Sequence, residues 1–420
     1  IGGLGEFEPK YLNPTTAQVI KRAIEFYDVD NDPLAVTWFL DGEEVGHGEV
    51  STTQLSDGRN MSRSEYLTKL PEGSHIIVAT VSDGMETVKT PEWYGRNPIT
   101  VEPDQIYPTK PIHLRYKGIT YFAGPVPPDW AGIPNPDHDE MDEQLDTIRK
   151  ELGCNAIVIS SGKEYEDKLI ECSRMAIEKG FERVYVQPRY MGLTVDDTVE
   201  RIREFVTRVR ALREASERVV FSVGHEFPLE TAIVKGDTWS DRAGNLPAEW
   251  QKVTAALPGM FATITNVCKE NYGYELSYSA IPGEVDLVPW ENPMFESVGV
   301  DAYVMPVIGM DEGRIIDLLS RLKIYQKPVC SMEAGCMTFK GAAYFGGVPP
   351  GGISSRPYDE DEQAGYIESY CEMLNRARID GYFYTQYNDP PYFQNGFGLI
   401  NGFKRKKGFY MYKSYQWTSS

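Results

Sequence analysis

The sequence predicts a two-domain chain, an all-β sandwich over residues 1–104 followed by an α/β barrel of the (β/α)8 type over residues 113–420. Three observations predict it. Up to about residue 104 apolar residues recur with a period of two. The stretch "NPITVEPDQIYPTKPI" then carries four prolines with no helical or strand pattern and reads as a linker, centred on 105–112. Beyond it, short β-rich runs alternate with amphipathic helical segments. A length of 420 residues also exceeds what one hydrophobic core usually fills.

In the first region "LAVTWFLDGEEV" alternates into a turn at Asp41-Gly42, and "GSHIIVATVSDGMETVKT" supplies two more strands around Asp83-Gly84. Asp-Gly pairs tolerate the positive φ angles that tight hairpins need. The stretch "YDVDNDPLAVTWFLDGEEV" followed by "LPEGSHIIVATVSDG" resembles the immunoglobulin-like repeats of the polycystic-kidney-disease and bacterial surface type. That resemblance implies an extracellular spacer or adhesion module. Asp28, Asp30 and Asp32 present the alternate carboxylates with which an EF-hand loop begins, without its glycine and distal glutamate. They are the candidate site for structural calcium. The sequon Asn60-Met61-Ser62 fits a surface loop of an exported protein.

In the second region the expected strands lie at 119–123, 156–160, 184–187, 219–223, 275–278, 298–304, 329–332 and 382–386. "EMDEQLDTIRKELG" places Met141, Leu145, Ile148 and Leu152 on one helical face and stops at Gly153. "VERIREFVTRVRAL" repeats Val199, Ile202, Phe205, Val209 and Leu212 in the same way, and "GRIIDLLSRLKIY" and "EQAGYIESYCEMLNRARIDG" behave likewise. Eight such units fit a closed barrel. A doubly wound nucleotide-binding sheet is disfavoured, because no GxGxxG or P-loop opens any of the helices.

Composition narrows the partners. With 62 acidic against 42 basic residues the net charge is −20, so nucleic acid and anionic membrane surfaces are poor partners. A neutral or cationic ligand suits the chain better. No apolar run approaches the roughly 20 residues that cross a bilayer. The start at Ile1 rather than methionine is that of a processed or trimmed product. All six cysteines fall in the second region, none spaced as CxxC, and at least four sit in apolar-periodic segments. They read as buried free thiols rather than zinc ligands or disulfides.

The chemistry is expected where apolar strands end in polar residues, since a barrel's active site lies at the carboxyl ends of its strands. "VVFSVGHEFPLE" runs apolar to Gly224 and then presents His225 and Glu226; "KPVCSMEAGC" delivers Glu333 in the same manner. Two carboxylates on opposed strands are the machinery of retaining glycoside hydrolysis: one protonates the leaving oxygen, and the other attacks the anomeric carbon. "HEFPLE" is not a zinc-protease motif, because the second histidine is missing and Pro228 breaks the helix it needs. The five histidines are scattered, so no metal and no cofactor is expected at this site.

On these residues the region from about 113 to 417 resembles the clan A glycoside hydrolases. "SMEAGC" and "FSVGHEF" are similar to segments of the cellulase-like family and the β-1,3-glucanosyltransferases, and "LGCNAIVIS" to their second strand. The resemblance implies Glu226 as acid/base, Glu333 as nucleophile and an oligo- or polysaccharide as substrate. Two positions depart from it. His225 replaces the asparagine that usually holds the sugar 2-hydroxyl, and Val158 stands where strand two usually supplies an arginine. Arg189, in "QPRY" at the end of strand three, is the candidate replacement for that charge.

Tyr303 and Asp301, in "GVDAYVMP" at the end of strand six, are candidates to bond the nucleophile or the substrate. Trp239, Trp290, Tyr384 and Tyr387 are candidates to stack on sugar faces. Gln386 stands beside them in "GYFYTQYND", where the related enzymes place an aromatic residue under the sugar. The Gly/Pro-rich segment 340–363 reads as a lid or wall of the cleft. The expectation is therefore an exported retaining β-glycosidase, extracellular or at the cell surface. Its alternatives are a transglycosylase using the same site and a non-catalytic cell-surface protein, carbohydrate-binding or structural, with a degenerate barrel.

Overall fold

The chain divides into two units, Ile1–Gln105 and Ile106–Ser420. The computed structural model describes residues 2–4, 9–15, 17–27, 34–54, 60–70, 73–75, 77–82, 87–89 and 99–101 of the first. Of the second it describes residues 107–126, 135–346, 356–389, 395–401 and 404–417.

In the first unit Ala35–Leu40 turns at Asp41 and Gly42, with φ of 53° and 90°, into Glu43–Gly48. Both turn residues thus have the positive φ of the tightest hairpins, the reason an Asp-Gly pair marks the turn. Ile77–Ser82 and Thr87–Lys89 complete an antiparallel sheet. A second antiparallel sheet is built on Ala17–Tyr27 and Asn60–Leu70. Val36, Trp38, Ile77, Ala79 and Val81 are buried together, and Trp38 stacks on Tyr66 of the other sheet at 5.6 Å between ring centroids. The sequon opens the strand Asn60–Leu70 rather than a loop. Asp28, Asp30 and Asp32 lie outside the described residues.

The second unit holds eight parallel strands: β1 (Tyr116–Phe122), β2 (Ala156–Gly162), β3 (Arg183–Arg189), β4 (Val219–His225), β5 (Leu276–Ser279), β6 (Val298–Asp301), β7 (Val329–Ala334) and β8 (Gly381–Thr385). They pair in the order β5-β4-β3-β2-β1-β8-β7-β6. The seam between β5 and β6 is closed by Ala280 N–H donating to Gly299 O (3.1 Å) and Asp301 N–H donating to Ala280 O (2.8 Å). Gly299 is required there, because a Cβ would lie 2.1 Å from the Tyr278 carbonyl oxygen. The result is a (β/α)8-like barrel.

Alternate residues of each strand serve two cores, as a sheet buried on both faces demands. Ile157 and Ile159 of β2 pack outward with the helices. Ala156 and Val158 join Tyr185, Val220, Met332 and Phe383 in a separate buried cluster. The crossovers carry the helices α1 (His138–Asp146), α2 (Glu166–Glu178), α3 (Val195–Ala215), α4 (Trp239–Asn271), α5 (Glu312–Arg321) and α6 (Glu360–Ala377), and α7 (Lys407–Ser414) follows β8. Asp137 and Glu140 form a capping box on α1, which continues into a π-helical turn, Thr147–Glu151, after which Gly153 has φ of 66°.

Three local expectations are corrected. The crossover from β5 to β6 contains a single 3-10 turn, Val285–Leu287, instead of an α-helix. Strand six ends at Asp301 and not at 304, because the chain turns into the Pro306–Ile308 3-10 turn. The end of the expected linker, Lys110–Ile112, is a strand paired in parallel with Tyr415–Trp417. All six cysteines are buried and unbridged. Among the described residues no helix is long and apolar enough to cross a membrane.

Candidate active site

The apolar run of β4 ends in an unusual piece of backbone. Gly224 has no room for a side chain, since a Cβ would lie 2.2 Å from the Phe227 ring. Glu226 then adopts φ 39°, ψ 52°, a left-handed conformation that costs a non-glycine residue about 1–3 kcal/mol and persists only where its surroundings hold it. The Glu226 N–H donates to Ser279 O at 2.8 Å, the Leu229 N–H donates to Glu226 O at 2.7 Å, and the Phe227 N–H donates to Tyr278 Oη at 2.7 Å. The one-turn helix Phe227–Glu230, opened by Pro228, brings the Glu230 side chain back to His225.

Four strand ends converge on that imidazole. His225 Nδ1 lies 3.0 Å from Glu230 Oε1 and 3.8 Å from Glu226 Oε2. Its Nε2 lies 3.3 Å from Asp301 Oδ2 at the end of β6 and 3.2 Å from Glu333 Oε1 on β7. Arg189, at the end of β3, donates from Nη1 to Glu333 Oε1 at 3.2 Å and from Nε to Glu230. Tyr303 Oη donates to Glu333 Oε2 at 3.4 Å, and Ser279 Oγ donates to Asp301. Trp239, the first residue of α4, donates from Nε1 to Glu226 Oε2 at 3.1 Å. Glu226 and Glu333 are 7% and 3% exposed.

Burial and charge drive the two glutamates apart. Burial raises Glu226 above the ordinary carboxyl range, against the lowering effect of His225. Burial would raise Glu333 as well, but the charge and hydrogen bond of His225, together with Arg189, hold it down at about 2. Asp301 is raised well above its usual value, first by burial. Burial and Arg189 push His225 down, yet the surrounding Glu333, Glu226 and Asp301 carboxylates outweigh them and lift it well above an ordinary histidine. Of the two glutamates, Glu226 is thus shifted toward its protonated form and Glu333 toward its ionised form.

His225, Glu226 and Asp301 also present metal-binding atom types within 4.8 Å of one another. The neighbouring Arg189 guanidinium, bonded to Glu230 and Glu333, is a fixed positive charge that would oppose a divalent cation there.

The remaining candidates separate into two groups. Tyr303, Asp301, Arg189 and Trp239 join Glu226, His225 and Glu333 in the cluster. The guanidinium comes from β3, while Val158 of β2 is packed in the barrel interior. Trp290 and Tyr384 are fully buried and direct their polar atoms elsewhere. The Trp290 indole donates to Val285 O at 2.7 Å, and Tyr384 Oη donates to Phe397 O at 2.9 Å. Rings enclosed in this way, with their polar atoms bonded to backbone, have no face open to a sugar. Tyr387 and Gln386 line a small cavity with Tyr121, Phe122, Gln144 and Asn388. The Gln386 amide donates to Asp389 Oδ1 at 3.0 Å, and Asp389 pairs with Lys406 at 2.6 Å, both fully buried.

Of the segment 340–363, Ala342–Phe345 forms a helical turn and Arg356 sits over the Phe339 and Phe345 rings at 5.1 and 4.7 Å; positions 347–355 lie outside the described residues. Glu230 and Glu284 were missed in the sequence. Glu230 lies four residues beyond Glu226, the spacing at which one helical turn returns a side chain to the same face. Glu284 accepts from Tyr278 Oη (3.1 Å), which in turn holds the Phe227 N–H.

No family model matches the chain, and no curated protein matches it. Among solved structures it is similar to the GH2 β-galacturonidase of Eisenbergiella tayi bound to galacturonate. That similarity has 14% identity and a TM-score of 0.46, over 98% of this chain and 71% of that one. It is also similar to the catalytic domain of Thermobifida fusca endoglucanase Cel5A, alone and, as a variant, with cellotetraose. Each of these has 14% identity and a TM-score of 0.38, over 67% of this chain and 84% of that one. These structural neighbours are glycoside hydrolases.

Proposed function

We propose that the chain is a retaining glycoside hydrolase acting on a β-linked oligo- or polysaccharide. Glu333 attacks the anomeric carbon while Glu226 gives its proton to the departing oxygen; the glycosyl-enzyme is then released by a water that Glu226 deprotonates. The observation that carries this reading is the placement of two buried carboxyl groups at the ends of β4 and β7, on either side of one imidazole at 3.8 and 3.2 Å, with Glu226 shifted up by burial and Glu333 held down by His225 and Arg189. His225 takes a different part from the asparagine of the resemblance: its ring lies between carboxylates, Glu230 at Nδ1 and Asp301 and Glu333 near Nε2, rather than presenting an amide. A sugar hydroxyl arriving in place of water would make the same site a transglycosylase.

The first unit is proposed as an immunoglobulin-like spacer and the whole chain as an extracellular or cell-surface protein, on the resemblance of its hairpin segments. A second reading, a carbohydrate-binding barrel without turnover, is favoured by the low exposure of both glutamates.

Product release from β-glucans, mannans, xylans, galactans and glycoprotein glycans, by wild type and Glu333→Gln, separates the two. Release that the variant loses, with the β-anomer formed first, is the expected result. Binding of a glycan without release by either protein would replace hydrolysis with the binding reading.

A further inference from the structure

One oxygen of Glu230 lies against two basic side chains. Its Oε1 faces His225 Nδ1 at 3.0 Å and also receives Arg189 Nε. The far ends of both side chains meet again on a single oxygen, Glu333 Oε1, at 3.2 Å from Arg189 Nη1 and 3.2 Å from His225 Nε2. Guanidinium and imidazole therefore lie side by side between two carboxylates. Glu230 is 1% exposed and its backbone is fixed at both ends: its N–H donates to Glu226 O at 3.0 Å, and its carbonyl accepts from the Gly192 N–H at 2.6 Å.

The groups facing the imidazole come from every element around it. Arg189 comes from β3, Glu226 and Glu230 from the turn after β4, Asp301 from β6 and Glu333 from β7. Ser279 of β5 and Tyr303 beyond β6 act one step away, on Asp301 and Glu333. Ionised carboxylates only accept hydrogen bonds, and each ring nitrogen has a carboxylate oxygen as its near neighbour. An imidazole so placed has a use for a proton on both nitrogens.

We propose that Glu230 is a positioning residue that holds His225 as an imidazolium beside Arg189, so that two positive charges are presented to one oxygen of Glu333. The cations then keep Glu333 ionised beside the protonated Glu226, and the asymmetry of the pair is set by a residue that touches neither reacting atom. The catalytic consequence rests on the glycosidase reading; the charge state of His225 does not.

The test is 15N NMR of the full chain labelled at its five histidines, with the His225 signal assigned by its loss in His225→Gln. Both ring nitrogens of His225 are expected to be protonated at pH 7 and still at pH 8, and Glu230→Gln is expected to lower the titration midpoint. In turnover, Glu230→Gln should lower kcat by about 10²-fold through misplacement of the cations, leave KM little changed and move the acidic limb of kcat/KM to higher pH. A neutral single tautomer at pH 7 overturns the proposal, as does an unchanged midpoint in Glu230→Gln. A His225 shift on adding Zn2+ that a chelator reverses would overturn it in favour of a cation site. Should Glu230→Gln not fold, the wild-type spectrum decides alone. An imidazolium in a protein that releases no sugar would keep this proposal and remove the hydrolase, whereas release by a protein with neutral His225 would do the reverse.

Discussion

Asp301 and Glu333 are register partners at the ends of neighbouring strands, and both carboxylates reach the same atom, His225 Nε2, from 3.3 and 3.2 Å. Two like charges on adjacent strand ends repel unless something stands between them. The imidazole does so and lowers both, yet burial still leaves Asp301 raised, while Glu333, which also has Arg189, falls. Arg189 bonds Glu333, whereas Ser279 is the neutral donor to Asp301.

The proposed division of labour between the glutamates is open to substitution. Glu333→Gln is expected to reduce release to background, and Glu226→Gln to slow it by about 10²–10⁴-fold, the usual contribution of a positioned general acid. A substrate with a good leaving group, which needs no protonation, should recover much of the rate in Glu226→Gln and none in Glu333→Gln. Steady-state kinetics on such a substrate pair checks this.

The pH profile follows from the same two groups. In the proposed mechanism Glu333 must be ionised, so activity should fall only as pH drops toward about 2. Glu226 must keep its proton, so activity should fall as pH rises through its elevated value. The Trp239 N–H donates to Glu226 Oε2 and a donor favours the ionised form; Trp239→Phe should therefore move the alkaline limb to higher pH. A limb that stays in place or moves to lower pH would contradict this.

Stability should respond to the His225 proton. A raised histidine contributes stability that is fully present below its unfolded value near 6.5 and is lost as pH rises through its folded value. Thermal unfolding followed from pH 6 to 10 should show a decline on the alkaline side that His225→Gln flattens.

Trp290 belongs to the core, packed edge-on against Phe295 with ring centroids 5.5 Å apart. Trp290→Ala should cost about 3–5 kcal/mol of stability, as truncation of a buried aromatic does, while KM stays unchanged at temperatures where the variant is folded. Denaturant unfolding and initial rates measure the two effects separately.

Lys406 and Asp389 form an ion pair with no exposure, and Asp389 also receives Gly398 N–H and the Gln386 amide. Lys406→Met leaves a buried carboxylate without its cation, which should cost about 3–5 kcal/mol. Adding Asp389→Asn to that variant should recover part of the loss in the same unfolding measurement.

The amino-acid sequence by itself determined the two-part organisation, the eight strands of the barrel and the strand ends that carry Glu226 and Glu333. Those features are local: a period of two, a helical stripe such as Met141, Leu145, Ile148 and Leu152, or an apolar run that stops at a polar residue can be read without knowing what faces it. Only the tertiary structure decided which polar side chains converge. Arg189, Asp301 and Glu230 come from three separate elements, and they meet at His225 because barrel closure and the left-handed turn at Glu226 aim them there. The aromatic residues show the same limit from the other side. Strands buried on both faces have no polar alternation to mark which face is open, so nothing near Trp290 or Tyr384 in the sequence distinguishes a core ring from a sugar platform. Burial of the ring and bonding of its polar atom to backbone make that distinction, and both depend on residues distant along the chain.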